Sequence, residues 1–175
     1  LTAPVAVIWP ESLVGNTQLS RFHCYSNYLA GAVPNLYGNT ALYTFAYRTN
    51  QLTGSIPDLS TNSSLSTLYL YTNQLTGSVP DLSNNLALTL FQFQSNNLTD
   101  YAGGTVSITL GDVGGYGTNA LTQSAIDALL AAFVAANRTS GTRVINLSGN
   151  NASPSPAGSA NKATLISRGW TVTTN

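Results

Sequence analysis

Charge is what this chain has least of. Six basic and six acidic residues make up 7% of its 175 positions, against roughly 25% in an average soluble protein. They cancel to a formal net charge of zero, and no run of Lys or Arg occurs. A nucleic-acid or anionic-membrane footprint is therefore missing. Methionine is absent altogether, initiator included, so the chain is expected to be a processed product or a piece of a longer protein. A single cysteine, Cys24, excludes a disulfide within the chain. No apolar stretch approaches the roughly 20 residues that span a bilayer. The opening Leu1 to Trp9 is apolar but short, broken by Pro4 and without a basic region, so it does not read as a signal peptide. Nucleotide-binding glycine loops and the Gly-x-Ser-x-Gly elbow are also missing.

Apolar residues, by contrast, are plentiful at 43% and evenly spaced, which excludes disorder. Their spacing is a repeat. Leu19, Phe22, Cys24, Asn27, Leu29, Gly31, Val33, Pro34 and Leu36 recur 23 residues on as Leu42, Phe45, Tyr47, Asn50, Leu52, Gly54, Ile56, Pro57 and Leu59. They recur again as Leu65, Leu68, Leu70, Asn73, Leu75, Gly77, Val79, Pro80 and Leu82. A fourth copy begins with Leu88, Phe91, Phe93, Asn96 and Leu98 and then diverges. One such unit cannot bury its own apolar positions, but stacked units bury them against each other. Phe45 and Tyr47 alternate with Ala46 and Arg48, as in a strand with one buried face. Each Asn falls where the chain turns, so its amide can bond the backbone of its own and the adjacent coil.

The pattern resembles the leucine-rich-repeat family, in its plant-type Gly-x-Ile-Pro subtype. The phrases NQLTGSIPDL and NQLTGSVPDL carry the resemblance, strongly over residues 19 to 98. It implies an α/β repeat solenoid with about seven parallel strands on the concave face. Extended convex segments are expected early and two convex helices near the C-terminus. Residues 1–18 are assigned to an N-terminal cap or junction and 19–175 to the repeat domain. Within it, 19–104 form regular repeats and 105–175 a helix-bearing C-terminal cap.

In that C-terminal third, Ile108 and Leu110 read as a fifth strand and GDVGGYG as a flexible insertion. Residues 122–137 read as a helix with Thr122 as N-cap and Ile126, Leu129, Leu130, Phe133 and Val134 as its apolar stripe. Ile145 and Leu147, with Asn150, predict a sixth strand. Ser155 and Pro156 open a second helix that Gly169 closes. Trp170 and Val172 predict a seventh strand with an uncovered face. This stretch is similar to terminal segments of repeat proteins from bacteria and their phages, which implies a microbial or viral source.

Catalytic sets are hard to assemble from these residues. Cys24 is expected inward, as a small hydrophobe, while its neighbour His23, the only histidine, points to the opposite face. Asp58 and Asp81, one repeat apart, could form a carboxylate pair about 5 Å apart, but each follows Pro, as Asn35 does, and reads as a local turn cap. No metal site, cofactor or catalytic residue is assigned, and the chain is read as no enzyme. Five Asn-x-Ser/Thr sequons, at Asn62, Asn97, Asn137, Asn146 and Asn151, are no more than the composition alone produces.

What remains is the concave face. One column of side chains is expected to run His23, Ala46, Tyr69, Gln92, Thr109, Asn146, Thr171. A second runs Tyr25, Arg48, Tyr71, Gln94, Gly111, Ser148, Thr173, and a third begins Arg21, Thr44, Thr67, Leu90. Neighbouring strands lie about 4.8 Å apart, so the first three repeats crowd Tyr and Arg into one patch. Those residue types carry binding energy well. The expected ligand-binding set is His23, Tyr25, Arg48, Tyr69, Tyr71, Gln92 and Gln94. It points to a binding or adhesion module, extracellular or on a cell or virion surface, that recognises a glycan or protein. The competing expectation is a structural, decoration or fibre component of a phage virion or extracellular filament, with self-assembly into a larger particle. Neither nucleic acid nor membrane insertion is expected.

Overall fold

The computed structural model describes residues 12–175 and the backbone of 7–8. The expected cap or junction at 1–18 falls in part on 1–6 and 9–11, outside the described residues. In chain order the strands are β1 (Val7–Ile8), β2 (Arg21–His23), β3 (Leu29–Ala32), β4 (Thr44–Ala46), β5 (Gln51–Thr53), β6 (Thr67–Tyr69), β7 (Thr76–Val79), β8 (Leu90–Gln92), β9 (Asn97–Tyr101) and β10 (Asp112–Gly114). Helix α1 (Gln123–Ala136) then precedes β11 (Val144–Asn146), and helix α2 (Pro156–Ser167) precedes β12 (Thr171–Thr173).

Seven of these strands form one parallel sheet in the order β2-β4-β6-β8-β10-β11-β12. Each coil contributes one strand, so the sheet order is the chain order, as a solenoid requires. The early repeats register at 23 residues: Phe22 pairs with Phe45, Phe45 with Leu68, and Leu68 with Phe91. Behind this sheet lies an outer wall of short parallel pairings, β1-β3-β5 and β7-β9. The Leu, Phe and Tyr rungs between them are sealed from water. Leu42, Phe45, Tyr47, Leu52, Leu65, Leu70, Leu75, Leu88 and Phe93 are all 0% exposed.

Two files of asparagine fasten coil to coil. Asn73 donates to the carbonyls of Tyr47 (3.0 Å) and Leu70 (3.0 Å) and accepts from the Leu52 N–H (3.0 Å). Asn50, Asn96 and Asn119 repeat this pattern. Asn27, first in the file, is exposed and, among the described residues, its side chain donates to the carbonyl of Tyr25 alone. The second file is Asn39, Asn62 and Asn85, each 0% exposed. Each donates to two carbonyls of the preceding coil, as Asn62 does to Leu36 (3.0 Å) and Asn39 (3.1 Å). Asn16 starts that file, three residues after Leu13, just as Asn39 follows Leu36.

The C-terminal coils keep the sheet and exchange the outer wall for helices. Thr122 caps α1 by accepting from the Ala125 N–H, and Ser155 caps α2 by accepting from the Gly158 N–H. Ile126, Leu129, Leu130 and Phe133 are buried as expected, and Val134 is half-buried. Gly169, at φ 81°, turns the chain out of α2.

Three expectations need correction. The fifth strand is Asp112–Gly114, inside GDVGGYG, rather than Ile108 with Leu110. Ile108 is 62% exposed, while Leu110 is buried at the entry position that Leu88 holds one coil earlier. The aliphatic alternation at 108 and 110 was misleading because the second inward position of that coil, after Val113, is a glycine. A Cβ on Gly115 would stand 2.4 Å from the Phe93 ring and 2.9 Å from Leu147 Cδ2, so its neighbours already fill that place. The ladder residue of the sixth coil is Asn151, 4% exposed, and not Asn150. Coils five and six carry one extra residue after the strand. Gly117 and Gly149 absorb it, and their backbones lie so close that a Cβ on Gly149 would be 2.7 Å from Gly117. Finally, the Trp170 and Val172 face is covered. Trp170 is 3% and Val172 9% exposed, with the Trp170 ring edge-on to Phe133 at 5.3 Å.

Because Asn73 pairs the buried Leu52 N–H and shares the carbonyls of Tyr47 with Asn50 and of Leu70 with Asn96, Asn73→Ala is expected to cost about 2–3 kcal/mol of unfolding free energy. Asn27→Ala, on an exposed residue, is expected to cost under about 1 kcal/mol. Urea unfolding of both variants checks this, and equal losses would contradict the ladder's role.

Candidate functional site

The concave face is the outer surface of the seven-stranded sheet. Its first column follows from the strand register: His23, Ala46, Tyr69, Gln92, Gly114, Asn146, Thr173. Thr109 and Thr171 therefore do not occupy the places expected of them, which go to Gly114 and Thr173. Two residues on, the second column continues from Gln94 to Tyr116 rather than Gly111, since the Thr72 N–H meets the Gln94 carbonyl and the Ser95 N–H meets the Tyr116 carbonyl. Thr171 belongs to the strand-entry column, which runs Arg21, Thr44, Thr67, Leu90, Asp112, Val144, Thr171. Two functional candidates, Tyr116 and Asp112, were thus missed. The signal was present in Leu110, whose 22-residue offset from Leu88 sets the strand three residues later.

The structure does bring the expected set together. Arg48 lies over the Tyr25 ring at 3.9 Å and within 5.6 Å of Tyr71. Tyr69 meets Tyr71 edge-on at 6.0 Å, and His23 meets Tyr25 at 6.1 Å. His23 and Tyr25 are exposed, and Arg48, Tyr69, Tyr71 and Gln92 are half-buried. Gln94 is 9% exposed. It and Gln92 fold over Gly114, where a Cβ would stand 2.4 Å from Gln92 Oε1 and 3.0 Å from Gln94 Oε1. Arg21 reaches the Tyr43 ring at 5.9 Å. In the middle of this set is a recess of 260 Å³ with Ala46 as its floor. The recess exists because Ala46 is the one small residue between His23 and Tyr69 in the early column.

Two larger hollows, of 530 and 590 Å³, lie on the outer wall around Pro57, Asp58, Pro80 and Asp81. Their carboxylates are already engaged in turns. Asp58 accepts from the Ser60 N–H and Asp81 from the Ser83 N–H, both at 2.8 Å, and Asn35 does the same for Tyr37. These are the local caps that the sequence suggested, on the wall opposite the concave sheet.

The remaining chemistry-bearing groups are occupied or remote. Cys24 is half-buried against the core, and burial pushes its thiol up from the ordinary value, away from the reactive thiolate. Burial, with Asp81 adding like charge, pushes the Tyr101 phenol up to about 12. No group of three His, Cys, Asp or Glu able to hold a metal ion occurs among the described residues. The sequons at Asn62 and Asn151 are buried, with Nδ2 donating to carbonyls of neighbouring coils.

Asp112 accepts from Gln92 Nε2 at 2.7 Å. Burial raises its carboxyl above the ordinary value, and the Gln92 bond pulls it partly back.

The fold has solved counterparts. A plant peptide hormone receptor, RGFR1 in complex with RGF2, matches with a TM-score of 0.63 at 24% identity, over 79% of this chain and 22% of that one. A TDR receptor matches with a TM-score of 0.52 at 17% identity, over 82% of this chain and 32% of that one. The chain therefore spans a fifth to a third of those receptors' length. No protein-family model and no curated protein sequence matches it. The sheet, the repeat and these counterparts define a leucine-rich-repeat solenoid.

Two outcomes follow. A double-mutant cycle on Tyr25→Leu and Arg48→Gln is expected to show a coupling of about 0.5–1 kcal/mol, measured by chemical denaturation. A coupling of zero would mean contact without attraction. For Asp112, a folded pKa raised above the unfolded one gives stability that is present in acid and lost as pH rises through the folded pKa. Asp112→Asn is therefore expected to be more stable than the parent at neutral pH, with the gap closing below the ordinary carboxylate value. Urea unfolding across that range checks the sign.

Proposed function

We propose that this chain is a non-catalytic binding module that takes its ligand on the concave sheet. The observation that carries the reading is the aromatic and cationic cluster around the Ala46 recess, with Arg48 held at 3.9 Å over Tyr25. Rings packed edge-on or tilted against one another and under a guanidinium are already ordered, so a ligand pays little to immobilise them. His23, Tyr25, Arg48, Tyr69, Tyr71, Gln92 and Gln94 form the contact set, and Tyr116 and Asp112 extend it. A glycan or a protein segment suits such a face, and RGFR1, similar in fold, is in complex with RGF2. The neutral, hydroxyl-rich exterior suits an extracellular, cell-surface or particle-surface setting. Against catalysis, His23 faces away from Cys24 and the Asp58 and Asp81 carboxylates are engaged in turns.

A structural role in a virion or filament is the second reading. The unpaired outer edge of β12 favours it, because an open strand edge accepts another strand. The burial of Trp170 and Val172 weakens it by removing the apolar contact face.

Binding to an array of glycans and secreted peptides is expected to fall at least about tenfold for Tyr71→Ala and to persist for Tyr37→Ala on the outer turn. Equal signals from both variants would remove the concave face from the function. Light scattering at high concentration is expected to give a monomer, and concentration-dependent filaments would favour the structural reading instead.

A further inference from the structure

The six cationic side chains are used unequally. Arg138 donates to the carbonyls of Ile108, Thr109 and Thr142, Arg143 to Thr139 and Arg168 to Val134, and Lys162 donates to the Thr174 hydroxyl. Those four are staples of the C-terminal coils. Arg21 and Arg48 differ. Among the described residues, their interactions are with tyrosine rings alone. A ring engages the face of a guanidinium and leaves its N–H edge free to donate. Both arginines line the recess over Ala46, together with the only histidine, His23.

Among the described residues, no carboxylate lines this recess. In the strand-entry column the acid is Asp112, three strands beyond Thr44, or roughly 14 Å at the usual strand spacing. Two guanidinium edges without a counter-charge among the described residues, in a half-enclosed hollow, fit an anionic oxygen cluster best. Two cations are too few to track a phosphate backbone. The recess opens on the face of the sheet above β4, whose main chain is paired to β2 on one side and β6 on the other, so a ligand seated over Ala46 meets side chains and no strand edge. Tyr25 and Tyr69 offer ring faces and edges, and Thr44 a hydroxyl, at the walls of the same hollow.

We propose that the Ala46 recess is a subsite for the anionic group of an acidic saccharide, a uronate carboxylate or a sulfate ester, whose sugar ring lies against the tyrosines. Arg21 and Arg48 grip the oxygens, and the methyl side chain of Ala46 provides the depth. This rests on the concave face being the binding surface, and it adds the charge and class of the ligand.

The test is calorimetric titration of the full chain with four probes: an oligogalacturonate, its methyl ester, a heparin-derived oligosaccharide and an oligoglutamate. The variants are Arg21→Gln, Arg48→Gln, Ala46→Leu, Tyr71→Ala and Tyr37→Ala, each first shown by thermal unfolding to be folded. The chain is expected to bind at least one acidic saccharide, and which of the two it prefers separates carboxylate from sulfate. Each arginine variant should lose about tenfold or more in affinity. Ala46→Leu should lose similarly, Tyr37→Ala should not change, and the methyl ester should bind at least about tenfold more weakly than the free uronate if the carboxylate is the group held. Failure to bind either acidic saccharide overturns the inference. So does binding that the arginine variants leave unchanged, or, where the uronate is the preferred probe, a methyl ester that binds as well as the uronate. Tighter binding of oligoglutamate with the same arginine dependence overturns it in favour of a peptide. In the arginine-independent case, a loss on Tyr71→Ala would still uphold the concave face, whereas no loss on Tyr71→Ala or Ala46→Leu would remove that reading too.

Discussion

Everything in this molecule depends on one constraint: each coil must satisfy the backbone of the coil before it. The asparagines enforce it. A buried carbonyl or N–H left unpaired costs about 1–3 kcal/mol, and Asn73 bonds two carbonyls and one N–H across two coils. Coil length is therefore not free to vary. Where it does vary, as in coils five and six, glycine appears at the point of closest backbone approach. The two files of asparagine work on opposite sides of the aliphatic rungs, so the core is clamped at both turns.

The same constraint shapes what the surface can do. Backbone groups in the sheet are consumed by neighbouring coils, so recognition on the concave face falls to side chains. Those side chains arrive in columns whose successive members lie about 4.8 Å apart from coil to coil, close enough for rings and guanidinium groups to stack along the solenoid. Tyr25, Arg48 and Tyr71 do so over three adjacent coils. Toward the C-terminus the columns turn to Gly114, Asn146, Ser148 and Thr173, and the available chemistry fades with them. The few charges follow a similar division, with the C-terminal cations holding carbonyls and the N-terminal pair facing solvent over tyrosine rings.

Much of this was legible in the residues. Four copies of one spacing gave the strands, the inward rungs and the ladder of Asn50, Asn73 and Asn96. The caps Thr122 and Ser155 and the turn carboxylates Asp58 and Asp81 follow from local chemistry, and the structure places them accordingly. The file of Asn39, Asn62 and Asn85 is equally periodic, but an asparagine three residues before a leucine carries no sign of burial until the carbonyls of the preceding coil are stacked beside it. The fifth strand was misplaced for a different reason. The second inward position of that coil, Gly115 just after the strand, has no side chain to announce it, because Phe93 and Leu147 occupy its space.

The sequence by itself determined the class of fold, the number of strands in the main sheet and which early side chains share a face. Those depend on spacing along the chain, and spacing is visible there. Only the tertiary structure decided that Asp112 and Tyr116 join the concave columns, that Trp170 is covered by Phe133, and that Ala46 floors a recess lined by two arginines held on tyrosine rings. Each of these depends on what adjacent coils place beside a residue. A glycine that yields to a neighbour's ring, or an alanine hollow between taller side chains, has no periodic signature and exists only once the coils are stacked.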